Sequence, residues 1–207
     1  MKLATKILKK LEAMYPSAHC ELYHQSPYQL LVATILSAQC TDKRVNMVTP
    51  PLFKAAPTPK AMLELGEKRL MEMIKSCGFY RTKAKNILKT SQVLLEKFDG
   101  EVPRTQEELI QLPSVGRKTA NVVLYNAYGI PAIAVDTHVF RVSQRLGLAK
   151  GKTPDQIEQQ LMKVFAKQDW GKAHHLLIFH GRYHCSARRP KCETCPLTAE
   201  CQYYQTL

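Results

Sequence analysis

Four cysteines crowd into one short stretch of this 207-residue chain: Cys185, Cys192, Cys195 and Cys201, spaced C-x6-C-x2-C-x5-C. Four thiolates on a turn-rich segment can close around a single metal centre. Zinc more often shows two C-x2-C knuckles separated by a longer insert. Only one C-x2-C stands here, and the wider, uneven outer spacing suits the larger cage of a [4Fe–4S] cube, although it is looser than ferredoxin runs. Disulfides are the other reading. They are rare in reducing compartments, and residues 1–10 carry lysines without the apolar core of a signal peptide. Cys20, Cys40 and Cys77 are scattered singly and are expected to be small buried hydrophobes with no second site among them. His174, His175, His180 and His184 are expected to pack and hydrogen-bond rather than to bind metal.

A second segment, Leu112-Pro-Ser-Val-Gly-Arg-Lys-Thr-Ala120, reads as a tight turn between two helices. Pro113 and Ser114 begin the turn, and Gly116 removes a side chain where the next helix starts. The first-turn N–H groups of that helix lack intrahelical partners and sit at the positive end of its dipole, so a phosphate can accept from them. Such contacts use backbone and read any sequence. Lys118 lies in the same first turn. Helix dipole, a neighbouring Arg117 and desolvation all favour a neutral amine, which can act as a nucleophile and form a Schiff base. A plain surface lysine is the alternative. Asp136, in Val-Asp-Thr-His-Val-Phe-Arg-Val, reads as a helix N-cap. Next to a cationic transition state its carboxylate could also stabilise charge and assist proton transfer.

The elements that must position these residues are helical. Ser26-Pro27 is a start signal ahead of the apolar stretch Tyr28 to Leu36. Ala84, Ile87, Leu88, Ser91, Leu95 and Phe98 recur at helical spacing, and Asp99-Gly100 reads as a stop. Thr105 with Glu108, and Thr153 with Gln156, form capping boxes. Ile157, Leu161 and Val164 mark one buried face, as do Val135, Val139, Val142 and Leu146. Nothing alternates with period two, and hairpin turns of the β type are missing. The expectation is an all-α fold of nine to eleven short helices. Ile130 to Val135, containing Pro131, reads as an extended connector between two helical lobes with a cleft between them. One lobe would span residues 22–130 and carry the helix–hairpin–helix at about 105–127. The other would combine 1–21 with 131–207 and carry the cluster loop, 185–201.

Charge narrows the partners. Thirty Lys and Arg against seventeen Asp and Glu give a net charge of +13. A bound cluster with its thiolates takes back about two units. The surplus points to a polyanion, most simply nucleic acid, with a merely soluble basic protein as the alternative. The strongest apolar run, Leu30 to Ala38, is far too short to span a bilayer.

Together, Leu112 to Asn121, Val135 to Val142, Leu36-Ser-Ala-Gln-Cys-Thr-Asp42 and the four cysteines resemble the endonuclease III family. These are iron–sulfur DNA glycosylases with AP lyase activity, in the helix–hairpin–helix superfamily with a Gly/Pro-rich loop and an aspartate. The resemblance covers nearly the whole chain in order. It implies that Lys118 attacks C1′ of the damaged nucleotide and displaces the base, and that Asp136 assists. A Schiff base would follow, then β-elimination 3′ to the site. Gln39 would fill the vacated space and Phe79 would act as a wedge. Leu112, Ser114, Val115 and Gly116 of the hairpin, with Arg188, Arg189 and Lys191 of the cysteine loop, would contact DNA. Cys185, Cys192, Cys195 and Cys201 would hold a structural [4Fe–4S] cluster. Substrates would be oxidised or ring-saturated pyrimidines in duplex DNA, and abasic sites.

The implied protein is a cytoplasmic monomer, associated with the nucleoid through DNA, with no membrane partner. Two positions depart from the family pattern: Ser114 where glycine is usual, and Phe79 where leucine is common. The competing readings are an adenine mismatch glycosylase of the same superfamily, a non-catalytic DNA-binding relative and an electron-transfer protein. Lys118 argues against the first, Lys118 with Asp136 against the second, and a single cluster on a basic helical body with a DNA-type hairpin against the third.

Overall fold

The computed structural model describes residues 2–207; Met1, placed by the sequence reading in the second lobe, lies outside them. Among the described residues there are ten α-helices, three short 3-10 turns and no strand. They form two compact units. One is continuous, Glu21–Ile130; the other joins the segment up to Cys20 with Pro131–Leu207.

The continuous unit holds α2 (Pro27–Ser37), α3 (Asp42–Ala55), α4 (Pro59–Met73), α5 (Tyr80–Lys97), α6 (Gln106–Leu109) and α7 (Arg117–Tyr128). Ser26 opens α2 by accepting from the Gln29 N–H at 3.2 Å, with Pro27 in the first turn. Every residue from Tyr28 to Leu36 is buried, so this apolar run is the central helix of a core, not a membrane segment. Each leucine that it buries fully contributes roughly 1.5–3 kcal/mol. It packs against α3, α5 and α7. The α4 helix breaks at Gly66, where φ is +77°. On α5 the fully buried stripe is Ala84, Ile87, Ser91 and Leu94, while Leu88, Leu95 and Phe98 are half-buried. The helix stops at Asp99 and Gly100, both with positive φ, and the Gly100 N–H returns to the Leu94 carbonyl at 2.9 Å.

The second unit holds α1 (Leu3–Met14), α8 (Thr137–Arg145), α9 (Pro154–Val164) and α10 (Trp170–Tyr183). The stretch from Ile130 to Val135 carries no regular structure, and Ala132 to Val135 are buried. The core joins Ile7 and Leu11 of α1 to Val139, Val142, Ile157, Leu161 and Leu177. Helix α10 lies close on α8 because Gly181 has no side chain; a Cβ there would stand 2.7 Å from that of His138. One expected core position is corrected: Val164 is 40% exposed, because it ends α9 on the solvent side. No described helix is long and apolar enough to cross a membrane.

Candidate DNA-repair site and cysteine centre

The hairpin is built from local bonds. Thr105 caps α6, accepting from the Glu108 N–H at 3.3 Å and donating to the Glu108 carboxylate at 2.6 Å. The turn then closes stepwise, Leu112 N–H to Leu109 carbonyl and Val115 N–H to Leu112 carbonyl, each at 3.1 Å. Leu112 and Val115 are 2% and 5% exposed, so their side chains belong to the core and their N–H groups serve the turn. Helix α5 supports the turn from below: Thr90 donates to the Pro113 carbonyl at 2.9 Å, and Asn86 donates to the Ser114 hydroxyl.

Two positions in the turn decide its shape. Ser114 has φ +62°, the left-handed region where a serine is strained and glycine is at ease. Gly116, the N-cap of α7, has an ordinary φ of −92°. A Cβ at Gly116 would meet nothing within 4 Å, so nothing in the fold itself demands glycine there. The space lies open to a group approaching from outside, at the N-terminus of a 12-residue helix. Lys118 is exposed in the first turn of that helix.

Asp136 is the N-cap of α8. Both capping bonds, from the His138 and Val139 N–H groups at 2.9 and 2.8 Å, end on one oxygen, Oδ1. The cap therefore needs only half of the carboxylate. Burial holds the neighbouring His138 below the usual histidine range.

Gln39 and Phe79 stand on adjoining loops of the first unit. Both adopt left-handed backbone, with φ +50° and +57°. Gln39 is exposed, and Phe79 is 68% exposed, far from the core aromatic that its residue type suggests. Lys83 of α5 holds the Gln39 loop. Its buried ammonium donates to the carbonyls of Leu36 at 2.8 Å and Ala38 at 2.6 Å.

The four C-terminal cysteines line one pocket together with His180, His184, Lys191 and Tyr203. None is in a disulfide. Burial raises the Cys192 and Cys195 thiols, and mutual repulsion among Cys185, Cys192, Cys195 and Cys201 adds to it. Such a set gives up its protons when a metal centre compensates the charge. The thiols are not drawn tightly together: no three His, Cys, Asp or Glu among the described residues are grouped as a single ion would group them. Four thiolates are a donor set that a cubane takes. The histidines stack and hydrogen-bond as expected: His174 Nδ1 pairs with the Ala134 carbonyl at 2.8 Å, and the His180 and His184 rings stack at 5.3 Å. Arg188, Arg189 and Lys191 are exposed.

The pattern of the HhH-GPD superfamily of base excision DNA repair proteins matches residues 32–167. Endonuclease III of Bacillus subtilis is 52% identical over 94% of this chain and 90% of its own length. Endonuclease III of Escherichia coli K12 is 49% identical over 96% of this chain and 94% of its own. The chain belongs to the endonuclease III family. Its fold superposes on that of an endonuclease III bound non-covalently to DNA with a TM-score of 0.94, at 48% identity, over 98% of this chain and 95% of that one. A trapped covalent endonuclease III–DNA intermediate matches with a TM-score of 0.93, at 47% identity, over 100% and 98%. Family membership makes the chain a base-excision DNA repair protein.

Within this endonuclease III fold, sequence reasoning missed Arg145. Its guanidinium donates to the Cys185 sulfur at 3.3 Å and to the carbonyls of Ser186 and Ala187 at 2.7 and 2.9 Å. It also stacks on Tyr203, 4.4 Å from the ring centre. Arg141, one turn earlier on α8, donates to the Cys185 carbonyl at 3.1 Å. An Arg-x3-Arg pair on the helix opened by Asp136 was the available signal. Glu200 was missed too: it is buried between Lys6 and Lys10 of α1, 2.8 Å from each.

Proposed function

We propose that this chain is a bifunctional DNA glycosylase and AP lyase that removes oxidised or ring-saturated pyrimidines from duplex DNA. Its place is the cytoplasm, on nucleoid DNA. The observation that carries the proposal is the exposed amine of Lys118 at the head of α7, in a chain that superposes over its whole length on an endonuclease III caught covalently on DNA.

The amine of Lys118 attacks C1′ and the damaged base departs. The open sugar and the amine form a Schiff base, which acidifies the C2′ proton. Loss of that proton breaks the C3′–O bond and cuts the strand 3′ to the site. The Asp136 carboxylate stabilises the cationic character that develops as the base leaves. The turn from Ser114 to Gly116 and the first-turn amides of α7 seat a phosphate without reading bases. Gln39 enters the gap left by the extruded nucleotide, and Phe79 parts the neighbouring step. Arg188, Arg189 and Lys191 add phosphate contacts. Cys185, Cys192, Cys195 and Cys201 hold a [4Fe–4S] cluster. When bound, it fixes the loop as a structural centre.

Borohydride in the presence of abasic or oxidised-pyrimidine DNA should trap a covalent protein–DNA adduct. Lys118→Gln should abolish trapping and strand cleavage while keeping much of the DNA binding, which weakens as salt rises. Asp136→Asn separates capping from chemistry, because asparagine caps a helix as well as aspartate does. Its thermal unfolding should be unchanged while base release slows by roughly 10²-fold or more. Undiminished trapping by Lys118→Gln would show that another amine is the nucleophile.

A further inference from the structure

Two cysteines expected to be isolated core residues lie side by side. Cys40 closes the turn after α2, its N–H donating to the Ser37 carbonyl at 3.1 Å. Cys77 closes the turn after α4, its N–H donating to the Ile74 carbonyl at 2.8 Å. The two turns touch. A Cβ placed on Gly78 would stand 3.2 Å from the Gln39 carbonyl oxygen, so the chains pass in contact one residue from each cysteine. The two thiols lie near enough to act on one another electrostatically. The Lys83 ammonium lies close enough to feel both, anchored on the Leu36 and Ala38 carbonyls. Cys77 is 1% exposed, and Cys40 is half-buried.

This placement differs from inert packing. Cys40 is half-buried where Cys77 is closed off, so its thiol is the one an oxidant meets. Burial pushes the Cys77 thiol up to about 11, which suits it to wait as the second partner. Cys40 directly follows Gln39, and Cys77 precedes Phe79 by two residues. Both of those side chains are aimed by left-handed backbone.

We propose that Cys40 and Cys77 form a redox-active dithiol that hydrogen peroxide converts to a disulfide, changing how Gln39 and Phe79 are presented to DNA. The second half rests on the DNA-binding roles proposed above; the first does not. The Cys40 thiolate attacks a peroxide oxygen and the O–O bond breaks. Cys40 becomes a sulfenic acid, and the departing hydroxide takes a proton to become water. The Cys77 sulfur, losing its proton, then attacks the Cys40 sulfur; the S–O bond breaks and a second water leaves. Two thiols and one peroxide give one disulfide and two waters, with two electrons passing from sulfur to oxygen. A disulfide holds its sulfurs about 2.05 Å apart, closer than two unbonded thiols can approach, so the bond draws the two loops together.

Cluster-loaded protein treated with a slight molar excess of hydrogen peroxide tests this, with the cluster's visible absorbance followed in parallel. Non-reducing peptide mapping should find the Cys40 and Cys77 peptides joined, and dithiothreitol should separate them. Base release should fall by about tenfold or more on oxidation, as sub-ångström misplacement in a site does, and return on reduction. Cys40→Ser and Cys77→Ser should keep full reduced activity and resist the loss. The dithiol is overturned if no joined peptide forms, or if oxidation stops at a dimedone-trappable sulfenic acid on Cys40 with Cys77 still a thiol. A joined peptide with unchanged base release overturns the effect on DNA. Reduced protein that releases no base overturns the glycosylase reading instead, and leaves the peptide result standing on its own.

Discussion

The hairpin at 105–128 and the cysteine loop at 185–201 are ordered in opposite ways. The hairpin is held mainly from within, with Thr90 and Asn86 of α5 bracing its turn. Its cap, its stepwise backbone bonds and the buried Leu109, Leu112, Val115, Ala120 and Val123 all come from a single short stretch. The loop has one 3-10 turn, Cys192–Thr194, and its one fully buried apolar side chain is Leu197. It is held from outside, by Arg141 and Arg145 on its carbonyls and by the lysines of α1 on Glu200. A segment too poor in apolar residues to build a core must borrow its order, from charges elsewhere in the chain and from whatever its thiols bind.

The largest effect follows from removing what the thiols bind. Cys192→Ala should lower soluble yield severely and make residues 185–201 the first point of proteolytic cutting, while the hairpin stays intact. Native protein should be brown and carry about four irons and four sulfides per chain. Iron and sulfide assay checks both. A Cys192→Ala protein with full iron content would mean that the loop is not held as described, and stoichiometric zinc in anaerobically purified native protein would overturn the cluster.

A smaller effect is expected from the borrowed charges. Hydrogen bonds from Lys10 and then Lys6 hold Glu200 below the usual glutamate range. The sign follows from linkage. A carboxylate whose folded pKa is depressed stabilises the fold fully above the unfolded value, about 4.3, and loses that contribution as pH falls through the folded value. Glu200→Gln should cost roughly 1–2 kcal/mol at neutral pH, discounted because both lysines are partly exposed. The difference from wild type should shrink as pH drops below 4.3. Unfolding curves at neutral and acid pH measure it. A difference independent of pH would show that Glu200 acts by shape and not by charge.

The same contrast explains what the sequence disclosed. Ser26, Thr105, Asp136 and Thr153 could be read as caps because each binds a backbone group two or three residues on. The stop at Asp99-Gly100 is equally local. Arg145 reaches Cys185 across 40 residues, Lys83 reaches Leu36 across 47 and Lys10 reaches Glu200 across 190. No spacing in a single chain announces such partners. The neighbouring thiols of Cys40 and Cys77 were hidden for the same reason. The left-handed backbone at Gln39 and Phe79 was hidden for another, since neither residue type favours positive φ. The family resemblance pointed to both residues without revealing the conformation that exposes them.

The smallest effect lies in the hairpin, and it tests whether that segment is as self-contained as the comparison holds. Ser114 occupies left-handed backbone at φ +62°, which costs a non-glycine residue roughly 1–3 kcal/mol. Glycine removes that cost. It also adds about 0.5–1 kcal/mol of unfolded-chain entropy, and it gives up an exposed bond from Asn86 that is worth little. The balance favours Ser114→Gly by about 1 kcal/mol, a rise of roughly 2–4 °C in unfolding midpoint for a chain of this size. Without the serine Cβ the turn should also admit a phosphate at least as closely, so affinity for abasic DNA should hold or tighten. Iron content should not move, because the hairpin draws nothing from the cysteine loop. A glycine variant that is both less stable and weaker on DNA would show that serine is at ease in this turn, and that the hairpin's shape depends on its side chain.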